Sequence, residues 1–426
     1  MADAGFLGPV PGARVTRARH VVLALTLLLA GIVYLDRVAI STTSLAIEKE
    51  LGLDDAQLGF VFSAYTLAYA MFEVPSGWLA DRFGARVMLT RIVVGWSVMT
   101  AATGLAWSFA SLCLIRFVFG LGEAGAFPSI ARAYGRWLPA RQRGRAFGLA
   151  VMCGLLASAA TQPLVVALMG ALSWRQVFPI FGVVGLVWAL VWFAWFRDDP
   201  HSHPRVSRAE LVLIGTDPEP PQTPVRWREL LASRSLRALC AMYLGTIYGW
   251  YFFLSWLPQY LLRARGFDLR QVGWLSALPL VGIATGVVSG GWLSDALTRH
   301  LGLRWGRRLP GLVGLPTAAV AIVVAVAVTD ARVSVAALAT AATTAALAVA
   351  PAWAACLDIG SRHVGVVSGA MNTFGNLGGT LSPVVMGLCL TRWHSWDMPL
   401  FSLSVFYLLA GACWLLIDPL EKLTSA

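Results

Sequence analysis

Apolar residues in this chain neither alternate nor keep to one helical stripe; they run almost unbroken and stop at short polar breaks. Such runs lie near 21–44, 57–80, 87–108, 110–133, 146–170 and 175–196, and again near 237–262, 271–294, 309–328, 332–356, 365–390 and 397–417. About 20 apolar residues in a helix cross the ~30 Å hydrocarbon core of a bilayer. A helix also satisfies its own backbone donors and acceptors, which lipid cannot do. The pattern therefore predicts an all-α membrane protein of twelve transmembrane helices, six on each side of a polar stretch. The units read as a cytoplasmic tail (1–20), a six-helix bundle (21–196), a cytoplasmic linker (197–236), a second six-helix bundle (237–417) and a second tail (418–426).

Composition agrees with this and excludes a soluble domain: 58% of the 426 residues are hydrophobic and 13% charged. The net charge of +11 tracks the breaks between apolar runs, so topology accounts for it and a nucleic-acid partner is not expected. Arg82, Arg86, Arg136, Arg143 and Arg145, the linker arginines, and Arg299, Arg304, Arg307 and Arg308 alternate onto one side. Cytoplasmic loops carry the excess of such residues, so both termini and the linker are expected in the cytoplasm. The basic start before Val21 resembles a signal peptide, but no small-residue cleavage site follows and the apolar run continues as a full span. Six cysteines are dispersed through apolar runs without metal or redox spacing, so no metal and no cofactor is expected.

The two halves repeat. Gly77-Trp78-Leu79-Ala80-Asp81 after span two recurs as Gly291-Trp292-Leu293-Ser294-Asp295 after span eight, and Trp174 opening span six is matched by Trp396 opening span twelve. Parallel six-helix repeats are a transporter plan, with the substrate site near mid-membrane between them. Leu114 to Pro128 breaks the apolar rule in the first half, because Arg116 and Glu123 sit within a span. Seven residues are almost two helical turns, so both charges share a face. An intramembrane charge must meet protein or water, which makes the pair either a functional site or a structural ion pair. Gly120 to Gly125 also matches the dinucleotide fingerprint G-x-G-x-x-G, but without a βαβ unit these glycines read as close-packing positions on a continuous helix. No nucleophile triad or metal spacing supports an enzyme.

Several motifs carry a resemblance. Gly77 to Arg86 (GWLADRFGAR) resembles the loop 2–3 signature of the major facilitator superfamily. Tyr34-Leu35-Asp36-Arg37 in span one, Arg116 to Pro128 in span four, and Leu357-Asp358 through Ser382-Pro383 resemble its anion:cation symporter branch. That resemblance implies proton-coupled symport of a small organic anion by alternating access. It implies Asp36 and Glu123 as the proton-coupling pair. It further implies Tyr34, Arg37, Tyr69, Arg116, Trp353 and Asn372 as the lining of the substrate site. The signature loop reads as a conformational latch using Gly77, Asp81, Arg82, Gly84, Arg86 and Asp295, which Glu73 and Arg91 could join; Glu73 replaces a glutamine associated with the branch. Gly154, Ala350 and Ala352 replace polar residues of sugar-acid members, which points to an anion with fewer hydroxyls than a hexonate, its apolar body facing Tyr248, Trp250, Tyr251 or Trp256. The partners expected are that anion, a proton and the bilayer, with the protein a monomer. The alternative is a proton-coupled efflux antiporter, which needs a cation-accepting cavity. A non-transporting sensor needs a larger signalling domain than the tail or linker offers.

Overall fold

The computed structural model describes residues 15–215, 232–360 and 364–421, where no strand occurs. Parts of the expected tails and linker lie outside the described residues, and so do the side chains of Gly77 and Asp81 from the expected latch. The helices are α1 (Ala18–Leu51), α2 (Asp55–Thr103), α3 (Phe109–Glu123), α4 (Ala126–Trp137), α5 (Ala140–Met169), α6 (Trp174–Trp195) and the short α7 (Arg208–Ile214). They continue as α8 (Arg234–Tyr251), a π turn at Phe252–Trp256, α9 (Leu257–Arg263), α10 (Leu269–Ala327), α11 (Ala331–Ala346), α12 (Val349–Gly360), α13 (Val364–Trp393) and α14 (Asp397–Cys413).

Helices α2 and α10 each make two crossings, reversing at Gly84 (φ 80°) and Gly302 (φ 79°). Only glycine enters that left-handed region without a Cβ penalty. Nine of the described helices are long and apolar enough to span a membrane. The first arm of α2, the second arm of α10 and the 17-residue α14 complete the fold's twelve crossings. Large apolar side chains such as Leu114, Leu190 and Trp292 are more than 60% exposed, an outer surface suited to lipid. Trp96, Trp137, Trp192, Trp256 and Trp414 are fully enclosed.

Helix starts are chemically marked at one end. Capping boxes pair Asp54 with Gln57, Ser108 with Ser111, Ser173 with Gln176 and Asp268 with Gln271, satisfying first-turn N–H groups on helices that enter from that side. The Gly84 and Gly302 reversals lie at the other end, with the chain termini. Helix α2 packs on α13, and α5 on α10, joining the first six crossings to the last six.

The capped end is closed by direct contacts across that seam. Arg263 pairs with Asp55 (2.5 Å) and Glu48 (3.6 Å), Gln259 donates to Ser44 and Glu48, and Thr391 accepts from the Ala56 amide. The Ser63 hydroxyl donates to the Thr380 carbonyl at 2.6 Å, and Gly59 lies against the Pro383 carbonyl. At the terminal end, contacts among the described residues include several within one set of six: Asp198 accepts from the Arg86 amide, Arg86 donates to the Phe193 carbonyl, and Arg307 bridges Asp295 (3.1 Å) and Asp358 (2.9 Å). Arg82, exposed, lies over the Phe83 ring.

One expectation needs correction. Leu114 to Pro128 is not a continuous helix: α3 ends at Glu123, and α4 starts after Gly125 (φ 93°). Glycine is needed at the break, because a Cβ at Gly125 would run into Ser76. Gly120 does pack closely, against the Tyr65 carbonyl. Gly125→Ala therefore combines a left-handed backbone with a clash, and a loss on the order of 2–3 kcal/mol is expected, read as a lower melting temperature of the purified protein.

Candidate functional site

The charges of spans one and four meet at the centre of the bundle. On α1, neighbouring residues point about 100° apart. Arg37 therefore faces a cleft while Asp36 turns behind it, toward Trp96 and Thr100 of α2. Glu123, at the end of α3, is fully buried and accepts from Arg37 Nε at 2.5 Å. Breaking α3 at this point leaves the Glu123 carboxylate at a helix end rather than inside a straight span.

Three aromatic rings enclose the Arg37 guanidinium: Tyr34 at 5.1 Å, Tyr65 at 5.5 Å and Tyr69 at 5.0 Å from its centre. Arg116, 2% exposed, lies over Phe119 (4.3 Å) and Tyr65 (5.5 Å). Ring faces carry negative potential, so they hold guanidinium cations without occupying their N–H donors. Arg37 Nη2, Arg116 Nε and Glu123 Oε2 are buried and have no hydrogen-bond partner in the protein. Both oxygens of Asp36, which is 1% exposed, are likewise without one.

The cleft spans about 350 Å³ of space between atoms, its open mouth included. Its lining is Arg37, Arg116 and Tyr65 from the first six crossings with Ile40 and Phe62, and Tyr251, Leu254 and Ser255 from the last six. Two guanidiniums thus sit opposite a wall of Tyr251, Leu254 and Ser255, which mixes apolar surface with two hydroxyls.

Not every expected residue lines this cleft. Tyr34 and Tyr69 reach it through Arg37. Trp353, 39% exposed, donates to the Tyr243 hydroxyl at 3.1 Å and packs edge-on against that ring. Asn372 donates to Glu73 on α2. Of the span-seven aromatics, Tyr251 lines the cleft, whereas Tyr248 stacks on Phe406 and bonds Ser402, and Trp256 packs against Phe62 and Trp396. Gly154 has a steric reason: the Tyr34 ring lies over it, so a side chain there would push Tyr34 off Arg37.

Tyr65, which touches both arginines, was not singled out from the sequence. Tyr65, Tyr69 and Glu73 follow one another at four-residue spacing, which places them on one face of α2 and was the signal available. Tyr251 was named with the other span-seven aromatics, and only the α8 packing and the π turn that follows it set it apart from Tyr248 and Trp256.

Comparison with known proteins agrees with this architecture. The model of the Major Facilitator Superfamily matches residues 26–383. The probable sulfoacetate transporter SauU of Cupriavidus necator is 37% identical over 417 residues, covering 96% of each chain. The D-galactonate transporter of Escherichia coli O6:H1 is 30% identical over 96% of this chain and 97% of its own, and the probable galactarate/D-glucarate transporter GarP of Escherichia coli K12 is 29% identical over 94% of each. Among solved structures, a bacterial homologue of the lysosomal transporter Spinster, in an inward-facing and occupied conformation, superposes with a TM-score of 0.77 at 22% identity, covering 96% of this chain and 97% of that one. These relatives are transporters rather than enzymes. With its twelve crossings, its reversals at Gly84 and Gly302 and a family match running from the first span into the eleventh, the chain belongs to the Major Facilitator Superfamily.

Proposed function

We propose that this transporter carries a small organic anion together with protons, by alternating access in a bacterial-type inner membrane. The observation that carries the reading is the central pair of buried guanidiniums, Arg37 and Arg116, which line the cleft and each keep a nitrogen without a hydrogen-bond partner in the protein. A guanidinium offers carboxylate or sulfonate a bidentate fork. An efflux protein for cationic drugs would need an acidic face there instead. Gly154, Ala350 and Ala352, where sugar-acid members carry polar residues, favour an anion with fewer hydroxyls than a hexonate, and the similarity to a probable sulfoacetate transporter supports a two-carbon sulfonate or carboxylate.

Asp36 and Glu123 are the proton carriers in this reading. A charged carboxylate costs several kcal/mol in hydrocarbon, and in this reading a proton taken up at Asp36 offsets that cost while the halves close. Glu123 keeps Arg37 oriented, and an arriving anion competes with it for that guanidinium. With the termini in the cytoplasm, the sealed capped end is the outer face and the conformation opens inward. The signature loop (Gly77, Asp81, Arg82, Gly84, Arg86) and Asp295 then form a tie between halves in the opposite, outward-open state. The protein is taken to act as a monomer, since each chain carries a whole cleft.

Uptake by liposomes containing the purified protein tests the reading. Under an inward proton gradient, labelled sulfoacetate or another short carboxylate is expected to accumulate above its outside level, and galactonate less. Export of hydrophobic cations with no anion uptake would sink it.

A further inference from the structure

Glu73 has no place in the mechanism above, yet it is held as tightly as a bound ligand. From α2 it reaches across to α13, where Asn372 Nδ2 donates to both of its oxygens (2.6 and 2.8 Å) and Asn376 Nδ2 donates to one (3.1 Å). Two amides one turn apart on α13 form a fork of donors, and a carboxylate lies in it. That is the arrangement by which a protein recognises an organic anion, except that here the anion belongs to the protein itself.

Position ties the fork to the cleft. Glu73 lies one turn beyond Tyr69, about 6 Å along α2, and the Tyr69 ring lies against Arg37. Arg37 on α1, Tyr69 on α2, and Tyr243 and Tyr251 on α8 are the charged or ionisable groups that share its surroundings. An anion with two charged heads a few ångströms apart can thus reach the guanidiniums with one head and the amide fork with the other.

We infer that Asn372 and Asn376 form a second anion subsite and that Glu73 occupies it as an internal competitor, to be displaced by the second head of the cargo. This deepens the organic-anion reading and rests on it. Displacing Glu73 also releases a direct link between α2 and α13, so arrival of the second head loosens the seam between the two sets of six crossings. An anion with a single head meets the guanidiniums only and leaves Glu73 in place. The protein thereby selects two-headed cargo for movement, at some loss of affinity for it.

The test is binding of sulfoacetate, malonate and propionate to the purified full-length protein, followed by calorimetry at fixed pH. Glu73→Gln removes the charge and keeps the shape, and Glu73→Ala removes the competitor outright. Both variants are expected to bind sulfoacetate and malonate about tenfold more tightly, as losing one charge-assisted contact from a competitor allows, with propionate unchanged. Glu73→Asp restores the charge and is expected to return towards wild-type affinity. Equal shifts for one-headed and two-headed anions would mean a purely structural tie and would overturn the inference, as would weaker or unchanged binding of the two-headed anions. If wild type and variants alike bind none of the three, the organic-anion reading itself falls and takes this inference with it.

Discussion

Arg37→Ala is expected to abolish uptake and to lower stability by about 3–5 kcal/mol, because Glu123 is then buried without the cation that it contacts. Both effects have the same origin, the 2.5 Å pair, but they can be separated. Replacing both partners, with Arg37→Met and Glu123→Gln together, removes the two buried charges at once. Buried pairs exchanged for neutral groups of similar volume lose little or even gain stability, so the double variant is expected to melt near wild type. It should still not transport, since the guanidinium fork is gone. Arg37→Lys keeps the charge but loses the planar fork and its fit between the Tyr34, Tyr65 and Tyr69 rings, and only weak uptake is expected. Melting curves paired with uptake assays decide the matter. Transport by the double variant would show that the pair serves the fold alone.

Asp36→Asn should have the next largest effect, and of a different kind. Each coupled proton lets one pH unit of gradient drive about tenfold accumulation. With an amide at this position the drive from that proton is lost, so accumulation is expected to fall about tenfold per pH unit of gradient, while exchange of labelled for unlabelled anion continues. Stability should be unchanged or slightly higher, because both Asp36 oxygens are buried without a partner and the substitution removes the cost of ever charging them. Accumulation in proteoliposomes, measured with and without a pH difference, separates the two processes. Undiminished gradient-driven accumulation would remove Asp36 from the coupling scheme.

Spans and repeats were legible in the sequence because each depends on neighbours close along the chain. An apolar run of bilayer length must be a helix in lipid whatever packs against it. Arg116 and Glu123 stood out for a similar reason, since charge inside an apolar run is costly wherever it lies. Asp36 and Arg37, adjacent in sequence, could be assigned to different faces from helical geometry alone.

What no local rule contained was how those faces meet. The break at Ala124–Gly125 admits only glycine at 125 because Ser76, almost fifty residues earlier, fills the space that a side chain there would need. Tyr65 matters because α1, α2 and α3 converge on it, and Tyr251 because α8 brings it over the same cleft from the other half of the chain. The Glu73 contact to Asn372 and Asn376 joins positions about three hundred residues apart. The order, number and orientation-bearing charges of the helices are therefore properties of the sequence alone. The pairing of Arg37 with Glu123, the solitary Asp36 and the amides that hold Glu73 were decided only by tertiary packing, because an interaction across the seam between helices depends on a distance that sequence spacing does not encode.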